Sequence, residues 1–435
     1  MNFSKRRQSL KAGVLAVLLG AHLIGADMTQ AQTQPPAADV NLWALAMEVT
    51  QATQPWLAVA LNHREITPRE IIAGAESIPL VRGKRTVVRV YPGLEGTGQA
   101  MIGVEATLAC QGANAAPCPG PAVVQPANVI QVEPADDRDL EAMRADAARS
   151  WNFVLPAEWT ATGAPIRLTA AITAPAGMPE CPVCHDGANR LVVSGLQFNS
   201  TASLKLKVVY ACVRRYPDDP AAKCDHAPLD IHERLFHEGS LLALAFPFAL
   251  EDIHISLHEP VTVTVDGDYR TAGGPMTAGR MREFHRLVCA LARGSAEAPP
   301  PANEITIGIV PFPTMGVFGL GSDNCIIVRA GLGILNQAME TIAEEIGHAL
   351  GRPHAGCDVH PPGEDAPCEP TYQQFPCPHG GVCTPGFDTH TLQAIGVGDP
   401  AGEHAHDFMS YGGGVQWISP YTYRHLYDAL RALAE

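Results

Sequence analysis

Residues 344–354 read EEIGHALGRPH, and this stretch decides how the second half of the chain is interpreted. On a helix, residues four positions apart share a face, so the side chains of Glu344 and His348 can point at one metal ion. Gly351 is a residue type that ends helices with a sharp turn, and such a turn can return His354 to the same place. Three protein ligands with one open position are typical of a catalytic zinc site.

Glu345 lies next to the predicted ligands and is the candidate general base. A metal ion in this site would lower the pKa of a bound water molecule toward neutrality, and Glu345 would accept the proton. A second informative segment lies further along the chain, where residues 407–411 read DFMSY. The first segment alone predicts a zinc-dependent hydrolytic site.

The two segments resemble those of the metzincin clan of zinc peptidases. The matching residues are Glu345, His348, Gly351, His354 and Met409. In that clan the methionine underlies the zinc site without binding the ion, and the resemblance implies this structural role for Met409.

The triplet Met409-Ser410-Tyr411 is similar to the Met-x-Tyr of the astacin-like and serralysin-like branches of the clan. There the tyrosine contacts zinc or stabilises the tetrahedral intermediate, so the resemblance implies a catalytic role for Tyr411. The resemblance covers residues 204–435. The stretch 407–423 also looks like that of secreted bacterial metzincin-like proteins that carry an upstream β-sandwich.

Glu344 departs from the clan pattern, because a histidine is expected at this position. In one interpretation Glu344 is itself a zinc ligand, since one carboxylate and two histidines form an accepted catalytic set. Its charge would then make the metal a weaker Lewis acid. In a second interpretation the site binds zinc poorly and the domain is a pseudopeptidase. In a third, another histidine between the motif and Met409 supplies the ligand; the candidates are His360, His379, His390, His404 and His406.

The pattern of apolar residues predicts a multidomain α+β protein. Short strands separated by Gly, Pro and Asn clusters predict an antiparallel β-sandwich over residues 76–174. A leader segment (32–75), in which residues 38–52 have helical spacing, precedes the sandwich, and a linker (175–203) follows it. Residues 204–435 are predicted to form a zincin-like α/β metallopeptidase domain with a Met-turn and a C-terminal helix.

The catalytic domain is predicted from the order of its elements. Strands are expected at 204–213, 305–311 and 325–328, and helices at 276–293, 337–350 and 421–434. Asn336 is the expected N-cap of the second helix, and Ser419 followed by a proline is the expected start of the third. This order is that of a zincin catalytic domain.

The N-terminus predicts export. Positive residues within 5–11 precede an apolar stretch at 12–25 that is too short to span a bilayer, and a small-residue cleavage site follows. Residues 1–31 are therefore predicted to be a signal peptide, with a weak twin-arginine resemblance at Arg6-Arg7. The mature protein is expected to be secreted or periplasmic and to have no membrane span. Twelve cysteines fit an oxidising compartment, and most are close neighbours in sequence, as in Cys110 and Cys118.

These observations predict an exported zinc endopeptidase that hydrolyses peptide bonds of a protein or glycoprotein substrate. The alternative is a secreted binding or adhesion protein whose peptidase-like domain no longer cuts, and Glu344 is the residue that favours it. The net charge of −15 and the lack of a basic patch speak against nucleic acid as a partner. The oligomeric state does not follow from the sequence.

Overall fold

The structure is a computed structural model of the 435-residue chain. The described residues are 40–53, 58–59, 70–72, 78–135, 137–178, 189–214, 237–264, 278–294, 300–311, 319–322, 324–330, 335–355, 380–382, 384–396, 405–410 and 414–435. The predicted signal peptide, residues 1–31, lies outside them.

The described residues form a mixed α/β structure that is dominated by strands and contains six helices, several sheets and no closed barrel. The strands of the first half are β1 (Asn41–Thr50), β2 (Ala58–Val59), β3 (Glu70–Ile72), β4 (Leu80–Val81), β5 (Val87–Glu95), β6 (Glu105–Gln111), β7 (Val123–Val124), β8 (Trp151–Val154), β9 (Ile166–Thr173), β10 (Arg190–Leu196) and β11 (Phe198–Asn199). The helices there are α1 (Leu140–Arg144) and α2 (Ala157–Thr160).

The second half contains the longer helices. Its strands are β12 (Leu204–Arg214), β13 (Ile253–Thr264), β14 (Glu304–Pro311), β15 (Gly319–Ser322), β16 (Cys325–Ala330), β17 (Gly386–Asp388), β18 (Gln393–Ile395), β19 (His406–Asp407) and β20 (Gln416–Trp417). Its helices are α3 (Leu241–Ala245), α4 (Ala278–Arg293), α5 (Leu335–Ala349) and α6 (Pro420–Ala432).

Two sheets of the first half share one hydrophobic core, and we call them the N-terminal sheets. One has the order β2-β1-β5-β8 and the other β3-β10-β9-β6-β7. Buried residues of both sheets, among them Val88, Phe153 and Leu168, belong to a single cluster. Strand β9 alternates buried and half-buried positions, as expected for a strand with one face toward a core.

Strand β1 differs from the sequence prediction, which placed a short helix at 38–52. All ten of its residues are buried, because it pairs with β2 and β5 and is covered on both faces. The sequence of a strand that is buried on both faces is mostly apolar, and periodicity alone does not distinguish such a sequence from that of a buried helix.

The predicted leader (32–75) contains β1, and the predicted linker (175–203) contains β10. Both strands belong to the N-terminal sheets.

The large sheet of the second half has the order β13-β12-β14-β16-β15. Its strands are parallel except β15, which runs antiparallel to β16 at the sheet edge. Alternate residues of the central strands enter two different cores, one shared with α5 and the other with α4. Both faces of this sheet are therefore covered by helices, as is usual for parallel strands.

The described ends of the three long helices agree with the predicted bounds to within two residues. Helix α4 is described from Ala278, and residues 276–277 of its predicted range lie outside the described residues. Helix α5 includes Leu335, so Asn336 lies inside the helix and is not its N-cap. Helix α6 begins with Pro420, and the Ser419 hydroxyl accepts the Thr422 amide at 3.1 Å, as predicted. Strand β13 and helix α3 were not predicted. The predicted domain boundaries and the sandwich-plus-zincin arrangement stay predictions.

Two disulfides join pairs of described cysteines. Cys110–Cys118 links neighbours in sequence, as the spacing predicted. Cys289–Cys325 joins α4 to the start of β16, although these two cysteines had no obvious partner in the sequence. Most of the other cysteines lie outside the described residues.

None of the helices in the described part of the chain is both long and apolar enough to cross a membrane.

A buried ionic network lies beside β1. The carboxylate of Glu48 accepts the Tyr91 hydroxyl at 2.6 Å and the Arg144 guanidinium at 2.8 Å, and Arg89 lies 3.6 Å away. All four side chains are buried. Burial, and then the charge of Glu48, raise the pKa of Tyr91 well above its usual value. Because the guanidinium groups are shielded from water, the network depends on Glu48, the buried carboxylate that contacts both of them.

We predict that Glu48→Gln lowers the free energy of unfolding by about 3–5 kcal/mol, because it leaves buried guanidinium charge uncompensated. Chemical denaturation measures the change. Glu141→Gln is the matched control, since Glu141 also contacts Arg144, at 3.5 Å, but is 77% exposed. An exposed pair contributes less than about 1 kcal/mol. Equal losses in the two variants would show that the network does not stabilise the fold as described.

Candidate metal centre

The C-terminal end of α5 has the hydrogen-bond pattern of a Schellman motif. The Gly351 amide donates to His348 O at 2.9 Å, and the Arg352 amide donates to Gly347 O at 2.9 Å. Gly351 has a φ of 84°, which is the left-handed conformation that glycine adopts at this position without strain. The predicted role of Gly351 is therefore confirmed, and the turn brings the chain back toward the last turn of the helix.

This return places Glu344, His348 and His354 together. One ligand atom from each residue lies within 4.8 Å of the others, so the group could hold a metal ion. The two Nε2 atoms of the histidines are 3.0 Å apart, and Glu344 Oε1 is 3.3 Å from His354 Nε2. The side chains of Glu344 and His354 are 22% and 12% exposed, so the cluster is reachable from solvent but mostly shielded.

The orientation of His348 is set by its other ring nitrogen. Nδ1 lies 2.6 Å from Arg352 O, and a carbonyl can only accept, so Nδ1–H is the donor. In the neutral ring this leaves a lone pair on Nε2, which faces the cluster. Burial, and then the neighbouring His354, lower the pKa of His348 and so favour the neutral ring. The backbone turn therefore positions one ligand and also selects its tautomer.

Glu345 follows Glu344 on α5 and is buried, with 6% of the residue exposed to solvent. Burial, and then the adjacent Glu344, raise its pKa well above the usual value. Among the described residues, Oε2 has no hydrogen-bond partner. A buried carboxylate with an unoccupied acceptor oxygen is costly unless a cation or a proton satisfies it. The predicted general base is thus held in a site that favours proton uptake.

Strand β15 lies directly over Glu345. A Cβ atom added at Gly321 would be 2.6 Å from Glu345 Oε2, and one at Gly319 would overlap the same carboxylate. Two glycines at alternate positions of this edge strand therefore make room for the carboxylate. Neither these glycines nor strand β15 was predicted from the sequence, although the triplet Gly319-Leu320-Gly321 is present in it.

Met409 packs against Gly347 of α5, one residue before the candidate ligand His348, and the role that the resemblance implies for it stays a prediction. Met409 is fully buried, and a Cβ atom at Gly347 would overlap its sulfur. Its carbonyl accepts the Ala355 amide at 2.8 Å, so the segment after His354 is bonded directly to it. We call residues 407–410 the Met segment.

Asp407 organises the Met segment and was not predicted as a site residue. Its Oδ1 accepts the Met409 amide and its Oδ2 the Ser419 amide, each at 2.9 Å. Burial raises the pKa of the Asp407 carboxyl, and the hydrogen bonds that it accepts oppose this rise. An aspartate two residues before a buried methionine is a turn signal that could have identified it.

The remaining predicted site residues separate into two groups. Tyr411, His360, His379 and His404 lie outside the described residues. His390 and His406 are described, but neither belongs to the cluster that contains Glu344. Glu238 lies 3.5 Å from His390. Within the described part of the chain, Glu344 is therefore the residue that completes the two-histidine group.

A second group of ligand-type residues was not predicted. His285, Cys289 and Cys325 bring one ligand atom each within 4.8 Å of one another, and all three are buried. The two sulfur atoms are joined in the disulfide, so neither is a thiolate that could bind a metal. His285 Nε2 lies 2.9 Å from Cys325 O, which satisfies the ring nitrogen.

No protein-family model matches this chain, and no curated protein aligns with it. The relation to the metzincin clan therefore stays a prediction from the two sequence segments.

We predict that Gly321→Ala lowers the free energy of unfolding by about 1–3 kcal/mol, because the added methyl group meets the carboxylate of Glu345 and the side chain of Ile326. Chemical denaturation measures the loss. Gly396→Ala is the control, since a Cβ there meets nothing within 4 Å. The control is expected to be unchanged or slightly more stable. If Gly321→Ala is as stable as the control, β15 does not pack over Glu345 in this way.

Proposed function

We propose that the protein is an exported zinc endopeptidase. The observation that carries the proposal is the convergence of Glu344, His348 and His354, with the buried residue Glu345 next to Glu344 on the same helix. In this proposal Glu344 is the third ligand, in place of the histidine expected from the metzincin pattern. The other two interpretations of this position, a pseudopeptidase and a substitute histidine, are outcomes of the experiments below.

The distances within the cluster fit a zinc ion. Ligand atoms that lie 2.0–2.1 Å from a tetrahedral ion are about 3.3 Å from each other. The separation of 3.0 Å between the two histidine nitrogens and that of 3.3 Å between His354 Nε2 and Glu344 Oε1 are close to this value. One carboxylate and two imidazoles also form a donor set that zinc accepts in catalytic sites. These residues therefore fit the proposed ion in both chemistry and spacing.

A bound zinc ion would supply a Lewis acid that polarises the scissile carbonyl and acidifies a water molecule. Glu345 would accept the proton of the attacking water, since it follows the candidate ligand Glu344 on the same helix and its Oε2 has no partner among the described residues. Without a metal ion, burial raises the pKa of Glu345; a bound cation would favour its ionised form, which is the form that accepts a proton. Tyr411 is proposed to stabilise the oxyanion, from the resemblance alone.

A polypeptide substrate is supported by the position of β15. This strand pairs with β16 on one side, and no other strand in the described ranges pairs with its outer edge. A free strand edge offers backbone donors and acceptors to an extended peptide. Because Glu345 lies under this strand, a peptide paired with it would pass close to the proposed general base. The free edge supports the proposal that peptide bonds are cleaved and does not specify a sequence.

The N-terminal sheets are proposed to form a β-sandwich that accompanies the peptidase domain. Their shared core supports two packed layers. By analogy with secreted proteins that pair such a sandwich with a peptidase domain, a protein or glycoprotein is the proposed substrate.

The second candidate function is a secreted binding or adhesion protein without peptidase activity. Glu344 favours that alternative, since it replaces a neutral ligand by a charged one.

We predict that protein purified without added metal contains about one zinc per chain and cleaves a generic protein substrate. Glu345→Gln is expected to keep the zinc and to lower kcat by roughly 10²–10⁴, because it removes the proton acceptor only. Elemental analysis and cleavage of a fluorescent casein measure the two quantities. Glu340→Gln is the control, since Glu340 is exposed on the same helix. Metal-free protein that cuts nothing at any zinc concentration would favour the binding protein instead.

The substitution Glu344→His tests whether Glu344 binds the metal or only occupies the position of a missing histidine ligand. If Glu344 binds the metal in a site adapted to it, the substitution is expected to leave zinc affinity and kcat/KM unchanged or to lower them. The reason is that the donor nitrogen of a histidine lies at a different distance from the backbone than the carboxylate oxygen of a glutamate. Titration against a chelating dye measures the affinity. A large gain in both quantities would mean that Glu344 is a defect in an ancestral site. In that case the pseudopeptidase interpretation of the present chain is correct.

A further inference from the structure

The end of β1 leaves the N-terminal sheets and enters the core of the second half. Ala52, two residues beyond the strand, is fully buried. It belongs to the same hydrophobic cluster as Ile346 of α5 and Met409. Ala52 therefore shares a hydrophobic core with the helix that carries two candidate ligands, although it lies about three hundred positions earlier in the sequence.

The carbonyl of Ala52 accepts two hydrogen bonds from the second half. The Phe387 amide donates to it at 2.7 Å, and the indole Nε1–H of Trp417 donates at 3.0 Å. The next residue, Thr53, forms a β-bridge with Gly386. A Cβ atom at Gly386 would overlap the Trp417 indole, so the glycine lets the ring approach the backbone. One backbone oxygen thus joins β17 and β20.

Trp417 in turn holds the Met segment. The Phe408 amide donates to Trp417 O at 2.8 Å, and Asp407 pairs with Trp417 in the parallel bridge between β19 and β20. Met409 follows directly and packs against Gly347, the residue before His348. A continuous series of contacts therefore connects the Ala52 carbonyl to the helix turn that carries a candidate ligand.

Gln51 provides a second connection on the same side. Its Oε1 accepts the Tyr423 hydroxyl at 3.2 Å and the Val81 amide at 2.8 Å, and its Nε2 donates to Val81 O at 2.8 Å. Tyr423 lies in α6, one turn after the Ser419 cap that shares Asp407 with the Met segment. All these polar groups are buried, so water does not replace a lost partner easily.

We propose that Gln51 and the Ala52 carbonyl are positioning groups for the metal centre, and that they act through Trp417 and the Met segment. The N-terminal sheets are then a structural part of the centre rather than a separately attached module. The consequence for metal affinity rests on the proposed function, whereas the positioning of the Met segment does not depend on it.

Trp417→Phe tests the proposal, because it removes the indole donor to Ala52 O and keeps an aromatic ring. Trp159→Phe is the matched control: Trp159 is also fully buried and donates its indole N–H to a carbonyl, Pro121 O, at 3.1 Å, within the first half. Hydrogen exchange of the Phe408 and Met409 amides is measured together with zinc affinity, by competition with a chelating dye.

Trp417→Phe is expected to speed exchange of these amides and to weaken zinc binding, each roughly fivefold, the loss expected for one buried hydrogen bond. Trp159→Phe is expected to change neither. Unchanged exchange in Trp417→Phe, or equal changes in both variants, overturns the proposal. If the unaltered protein binds no zinc, the proposed function fails, and the exchange result still decides the positioning role. Tyr423→Phe, which removes only the hydroxyl donated to Gln51, replaces Trp417→Phe if that variant does not fold.

Discussion

The turn at Gly351 is the constraint on which the candidate centre depends. Its left-handed backbone ends α5 and returns the chain within three residues, so that His354 reaches His348. The same turn presents Arg352 O to His348 Nδ1 and Ala355 N to Met409 O. One backbone conformation thus assembles two ligands, selects a tautomer and attaches the Met segment. A side chain with a Cβ would be strained at this φ, and the strain would pass to all of these contacts.

Charge at the centre is concentrated in two adjacent carboxylates. Glu344 is partly exposed, whereas Glu345 is buried and its pKa is raised by burial and by its neighbour. Two acidic groups this close, and shielded from water, repel each other unless a cation or a proton lies between them. A divalent ion held by Glu344 would relieve this repulsion and would favour the ionised form of Glu345. The residue that departs from the metzincin pattern therefore also affects the predicted base.

The N-terminal sheets and the second half are joined through buried polar contacts rather than through a surface patch. Ala52 O and the Gln51 side chain contact β17, β20 and α6. Lys84 Nζ, in the turn before β5, donates to Leu244 O at 3.0 Å near the end of α3. The Arg89 guanidinium lies 4.7 Å from the centre of the Phe387 ring. These contacts involve residues far apart in sequence, which is why a linear division of the chain did not reveal them.

Elements whose signals are local could be predicted from the sequence. Helices α4, α5 and α6 follow from apolar spacing, a glycine after the last turn, and a serine–proline start, since caps and periodicity act within a few residues. The grouping of Glu344, His348 and His354 was predictable for the same reason. Only the tertiary structure decided that residues 41–50 form a strand, because its pairing with β5 overrides the helical spacing. The pairing of Cys289 with Cys325, the glycines of β15 over Glu345, and the contacts of Ala52 also required the fold. Each depends on chain segments that meet only after the sheets have formed, and no residue spacing records such a meeting.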